Sequence, residues 1–142
     1  MPLHLIKLAV GIRDLDHLGE VQARRARAVE GRSVVPVHTR QTPRRGAEIL
    51  AGGSLYWVVR GSVAVRQRIL AIDSAVDEEG ESHCTISVDA GLVPTVPTVH
   101  RPFQGWRYLD PQAAPMDLAE AGGEGGGLPP HLAAELRALG LL

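Results

Sequence analysis

Arginine and aromatic side chains are the groups in this chain whose types and spacing suit a defined chemistry. All five aromatic residues fall in two segments, Gly53-Ser54-Leu55-Tyr56-Trp57-Val58-Val59-Arg60 and Arg101-Pro102-Phe103-Gln104-Gly105-Trp106-Arg107-Tyr108-Leu109, and arginine accompanies both. A guanidinium forks onto phosphate oxygens and a flat ring stacks on a base, so the pairing is that of anion and nucleotide recognition. Arg66 and Arg68 stand two apart in a predicted strand and project from one face, with Gln67 on the other. Arg40, Arg44 and Arg45 precede the Gly52-Gly53 turn and extend the basic set. The candidate binding residues are therefore Arg40, Arg44, Arg45, Tyr56, Arg60, Arg66, Arg68, Arg101, Trp106, Arg107 and Tyr108. A competing destination exists for each type. Trp57 and Phe103 are large enough to serve as core, and Arg66 and Arg68 can be neutralised by carboxylates such as Asp73 or Glu48.

Other chemistries lack their residues. The six histidines, His4, His17, His38, His83, His100 and His131, show no metal-ligand or catalytic spacing. Cys84 is the single cysteine, so it forms no internal disulfide and no cysteine-based zinc site. It alternates with Ile86 and Val88 on the apolar face of a strand, and its neighbour His83 points away, which leaves it a core thiol. No phosphate-binding loop, dinucleotide glycine fingerprint or nucleophile elbow occurs. No catalytic residue, metal or cofactor is assigned.

The elements that position these groups read as α+β. Leu3 to Val10 is a strand interrupted by Lys7. Asp14 caps a helix that carries Leu15, Leu18, Ala26 and Val29 at helical spacing, with Arg24, Arg25 and Arg27 toward its end and Gly31 as its stop. Val34 to Arg40 is a strand that Pro36 places at a sheet edge. Arg44 to Leu50 forms a short helix. Leu55 to Arg60 is apolar on both faces, which is the signature of an interior strand. Gly61-Ser62 turns it into an antiparallel partner from Val63 to Ile72. Asp77 to Glu81 is an acidic loop, and Pro94 and Pro97 break the stretch that follows, leaving Thr98 to Phe103 extended. The expected architecture is one domain over residues 1–118, with a mixed, mainly antiparallel sheet or a small barrel flanked by helices. A Gly-rich linker over 119–127 and an amphipathic helix over 128–142 with Leu132, Leu136 and Leu139 on one face complete it.

With 142 residues, 44% hydrophobic and 22% charged, the chain suits one folded domain and excludes wholesale disorder, coiled coil and collagen. No apolar run reaches membrane-spanning length and the start lacks the order of a secretion signal, so a cytoplasmic protein without membrane contact is expected. The net charge of −1 conceals a division. Residues 1–68 hold twelve cations and five acids, and residues 69–142 hold three cations and eleven acids, giving +7 and −8. Such asymmetry suits an acidic ligand, although the two halves can neutralise one another in space. Fourteen arginines stand against one lysine.

The stretches Gly52-Gly53-Ser54-Leu55-Tyr56-Trp57-Val58, Arg66-Gln67 and Arg101-Pro102-Phe103-Gln104-Gly105-Trp106-Arg107-Tyr108-Leu109 resemble the domain of unknown function 1489 family of short bacterial proteins. The resemblance begins at Leu3-His4-Leu5-Ile6-Lys7-Leu8, includes Thr39-Arg40 and Pro43, and continues to about Leu118. It implies no activity, cofactor or catalytic residue. The order of elements is also similar to the small β-barrels of the PUA-like superfamily, which includes domains that bind RNA and modified bases. That likeness is one of topology alone.

These observations point to a non-catalytic module that binds RNA or a nucleotide-like anion on an arginine and aromatic face. A small enzyme acting on a nucleotide or modified base, and an interaction adaptor using the terminal leucine helix, are the alternatives. All of the binding reading depends on arginines from distant segments meeting in space.

Overall fold

Strict alternation from the first residues sends Leu3, Leu5 and Ala9 to one side of β1 (His4–Leu8), and Ile6 to the other; all four are buried. The computed structural model describes residues 2–121. In order, β1 is followed by α1 (Leu15–Ala23), β2 (Arg27–Val29), β3 (Arg32–Thr39), α2 (Gly46–Leu50), β4 (Ser54–Val59), β5 (Ser62–Val76), β6 (Ser82–Asp89), β7 (Val93–Val99), β8 (Trp106–Leu109) and α3 (Leu118–Ala121). The strands form one mixed sheet in the order β2-β3-β6-β5-β4-β1-β8, with β7 also paired to β5. Only the β1–β4 pair is parallel, bridged by the crossover through α1, β2, β3 and α2. The fold is thus a single α+β domain dominated by strands.

The fifteen residues of β5 hold the sheet together. Its first half lies between β4 and β7, and its second half pairs with β6. Register shifts at Val63/Val65 and Ile69/Ala71 re-aim the strand between these neighbourhoods. As a result the sheet curls around one main core, which joins Leu5, Leu55, Trp57, Val65, Ile86 and Val35 from five strands with Leu15 and Leu18 of α1. The curl does not close. β3 and the β1–β8 end approach across a gap, and the indole Nε1 of Trp106 donates to the Gln41 carbonyl across it at 2.8 Å. The barrel alternative therefore gives way to an open, curled sheet.

Inside the core, Gln67 of β5 is fully buried and all its hydrogen-bonding capacity is met. Its Nε2 donates to Gln22 Oε1 at 2.7 Å and to the Asp89 carbonyl at 3.0 Å. Its Oε1 accepts from Gln22 Nε2 at 2.9 Å and from Trp57 Nε1 at 2.8 Å. This exchange fixes α1 against the inner face of the sheet.

Several expected elements are confirmed and some are displaced. Asp14 caps α1, its carboxylate accepting from the His17 N–H at 2.8 Å. β4 is buried at all six positions, and Cys84, Ile86 and Val88 face the core. The first helix, however, ends at Ala23, and Arg27 to Val29 form β2 instead. Gly31 is no helix stop: Glu30 and Gly31 are the two turn residues of a hairpin, with φ of 50° and 78°. The β4–β5 turn is Arg60-Gly61, at 50° and 85°, one residue earlier than expected. Positive φ at both central residues is the turn geometry that matches strand twist, and glycine at the second position makes it accessible. β3 is not the outermost strand, because β2 borders its start, but β2 reaches only Val34 and Pro36 lies beyond it. Pro94 and Pro97 do not end a strand. Both lie in β7, which among the described residues has β5 along one side and a single bridge on the other, so a missing N–H is tolerated there. Residues 119–121 of the expected linker belong to α3 instead, and the rest of the linker and the expected terminal helix lie outside the described residues.

Gly53 is required by crowding. A Cβ there would collide with the Leu3 carbonyl oxygen and lie 2.6 Å from that of Ile49. Gly53→Ala is expected to destabilise the protein by about 3 kcal/mol, the upper end of the overpacking range, seen as a lower urea midpoint. Gln67→Leu leaves the Gln22 amide, the Trp57 N–H and the Asp89 carbonyl without partners, a loss of about 3 kcal/mol. The double change Gln22→Leu with Gln67→Leu should recover part of that loss in the same denaturation experiment, because fewer orphaned groups remain.

Candidate functional site

The gap in the curled sheet is a cleft of about 550 Å³. Lys7 of β1, Thr39 at the end of β3, Arg40 and Gln41 just after it, and Trp106 and Arg107 of β8 line it. Each element delivers its side chain for a local reason. Lys7 occurs on the core-facing side of β1, in register between Trp57 of β4 and Trp106 of β8. Burial holds its ammonium below the ordinary lysine range. Arg40 lies where β3 ends and the chain turns toward the short helix. Arg107 is held by its own loop, donating to the carbonyls of Gln104 at 2.6 Å and Trp106 at 3.0 Å, with its guanidinium 5.5 Å from the Phe103 ring. No aspartate or glutamate is among the described residues that line this cleft.

A support lies beside it. The Tyr108 hydroxyl accepts from the backbone N–H groups of Arg44 at 3.0 Å and Arg45 at 3.3 Å, and its ring meets Trp106 edge to face at 4.9 Å. The Arg45 side chain sits 5.6 Å from the Tyr108 ring and is paired with Glu48. Through these contacts β8 anchors the loop that carries Arg40 and Gln41.

The remaining candidates are elsewhere. Tyr56 and Arg66 face each other across β4 and β5 on the opposite side of the sheet. There Arg66 makes a forked pair with Asp117, both contacts at 2.7 Å, and its third nitrogen donates to Ser54 Oγ at 3.0 Å. The partner of Arg66 is thus neither Asp73 nor Glu48 but an acid from the segment leading into α3. The same face holds His4, whose Nδ1 accepts from the Ser54 N–H at 3.0 Å, so the neutral ring carries its proton on Nε2. Burial first, and the Arg66 charge second, keep His4 below its usual pKa. Arg60 occupies the β4–β5 turn, Arg68 is exposed on β5, and Arg101 is exposed in the loop before β8. Of the eleven expected residues, then, Arg40, Trp106 and Arg107 line one cavity, with the Arg107 guanidinium turned to the Phe103 side of the sheet, Arg44, Arg45 and Tyr108 support it, and the other five do not join them.

Two contributions escaped the sequence reading. Lys7 was visible only as an interruption in an apolar strand; the available signal was that it shares a face with Leu3, Leu5 and Ala9. Gln22 gave no signal beyond its place in a helix. At the exposed β5–β6 turn, Asp77, Glu81 and His83 each bring one ligand-type atom within 4.8 Å of the others. Asp77 already accepts from the Glu79 and Glu81 N–H groups and from the His83 ring, so the cluster closes the turn.

The description Protein of unknown function (DUF1489) matches residues 5–142. The chain belongs to that family. The match runs past Leu118, beyond the motifs legible in the sequence, to the last residue. No curated protein and no solved structure matches the chain, and the PUA-like likeness accordingly finds no counterpart. Among the described residues, no helix of this family member is long and apolar enough to cross a membrane.

The Arg66–Asp117 pair gives stability a defined pH dependence. Arg66 holds the Asp117 carboxyl below its ordinary range, so the folded pKa lies under the unfolded one. The contribution is complete above the unfolded value near 3.8 and disappears as pH falls through the depressed folded value. Asp117→Asn is expected to cost about 2 kcal/mol at pH 7. The difference from the unaltered protein should narrow below pH ~4 in denaturation curves recorded at each pH.

Proposed function

We propose that the protein is a non-catalytic module that binds a nucleotide-like anion or RNA in the cleft between β3 and the β1–β8 end of the sheet. The observation that carries this reading is the convergence of Lys7 and Arg40 around one cavity beside Trp106, with Arg107 in its wall and no carboxylate among the described residues that line it. Cations gathered without acids raise the local positive potential, and low-dielectric walls strengthen it. Lys7 adds a specific argument: a partly desolvated ammonium without a carboxylate among the described residues is stabilised by an arriving anion. Arg40 is free of any ion pair among the described residues, which leaves its fork open to phosphate oxygens. Among the described residues that line the cleft there is no carboxylate or imidazole to act as acid or base, which favours binding over the enzymatic alternative.

The reading is tested with a 5′-phosphorylated single-stranded RNA oligonucleotide, its affinity followed by fluorescence anisotropy over a salt series. Affinity should fall with salt, and Lys7→Met or Arg40→Ala should each weaken binding about tenfold and lower the salt slope by about one. Arg60→Ala, in a turn away from the cleft, should leave affinity unchanged. An equal loss from Arg60→Ala and Arg40→Ala would assign the attraction to overall charge and remove the cleft from the account.

A further inference from the structure

A second, lower cavity of about 250 Å³ adjoins the cationic cleft. Lys7 lines both. Along β3 their linings follow one another in sequence, Val35 to His38 bordering the lower cavity and Thr39, Arg40 and Gln41 the upper. The lower walls are of a different kind. Leu18 of α1, Val35 and Val37 of β3, Ile12 and the Trp57 ring make an apolar slot, with Arg25 at its rim. Across both cavities the lining includes four cations, Lys7, Arg25, Arg40 and Arg107, and no acid among the described residues.

We propose that these cavities form one bipartite site for a nucleoside monophosphate, with the phosphate against Lys7 and Arg40 and the base seated in the slot beside Trp57. The proposal rests on the anion-binding reading above and narrows its ligand. Two physical points favour it. A bare inorganic anion leaves the slot empty, whereas a small ligand gains most of its affinity from apolar surface buried in a concave site oriented by a few polar groups. A strand of RNA needs a basic groove that continues along its backbone. Here Arg66 is taken by Asp117 and Arg45 by Glu48, and Arg60 and Arg68 line neither cavity. The slot wall is also rigid, because Gln22 and Trp57 both bond to Gln67. A preformed pocket loses little on binding.

The two tryptophans separate the parts of the site, since Trp57 lines the slot and Trp106 the cationic cleft. Their indole N–H signals can be followed by proton–nitrogen correlation spectra of the full chain during titration. Inorganic phosphate and ribose 5-phosphate should move the Trp106 signal and leave Trp57 in place. Adenosine and uridine 5′-monophosphates should move both, and should bind about tenfold more tightly than ribose 5-phosphate. Ala9→Leu, which fills the slot, should abolish the Trp57 response and the tenfold advantage while the phosphate response persists. Comparison of probes on the unaltered chain does not depend on how that variant folds. Equal affinity for ribose 5-phosphate and the mononucleotides with a static Trp57 signal would overturn the bipartite site and leave the anion cleft standing. Binding of an RNA oligonucleotide without binding of either mononucleotide would overturn it in favour of strand recognition. A Trp106 signal that no phosphate-bearing probe moves would remove the anion-binding reading itself.

Discussion

Two glutamine side chains exchange both of their hydrogen bonds in the middle of an apolar core, and the rest of the structure is arranged around that exchange. Gln67 stands on the longest strand and Gln22 on the last turn of α1, so the pair ties a helix to the inside of a curled sheet. An amide buried without partners is costly, and this environment meets every donor and acceptor of Gln67, using the Trp57 indole and the Asp89 carbonyl as well. Apolar side chains alone tolerate sliding; a fully satisfied polar network has one register. The helix consequently has one seat, and the apolar slot between α1, β3 and Trp57 has one shape.

The open curl is the second consequence. β5 carries the chain from one sheet neighbourhood to another, and its irregular pairings bend it without breaking its ladder. A complete barrel would have paired β3 with the far end and buried Lys7 against backbone. Here the approach of the two ends is secured by side chains instead, with Trp106 bonded to the Gln41 carbonyl and Tyr108 holding the Arg44 and Arg45 N–H groups. Side-chain bridges leave space between them. That space is the cationic cleft.

The opposite face of the sheet uses the same chemistry for another purpose. Arg66 has its fork closed on Asp117 and a third bond to Ser54, which holds the segment before α3 across Tyr56, Val58 and Ala114. Arginine with a carboxylate serves here as a structural tie, and the positive first half of the chain is partly neutralised by the acidic second half through this contact.

Periodicity in the sequence determined the elements that depend on near neighbours. Apolar runs identified β1 and β4, alternation identified β6 and the core position of Cys84, and Asp14 announced the start of α1, because side-chain direction along a strand and the capping of a first turn are local properties. Glycine was read correctly as a point of turning but not always of which turn: Gly31 and Gly61 close hairpins whose positive backbone angles only the paired strands make necessary. The aromatic segments near Trp106 were visible as a concentration of useful groups. Their partners were not. Whether an arginine meets an acid or an empty cavity is decided by segments tens of residues away, and charge pairing leaves no periodic trace in a sequence. Tertiary structure alone therefore chose Asp117 for Arg66, brought Lys7 and Arg40 to one cavity, and placed Gln22 against Gln67, since each of these depends on how far a sheet curls before its ends are held apart.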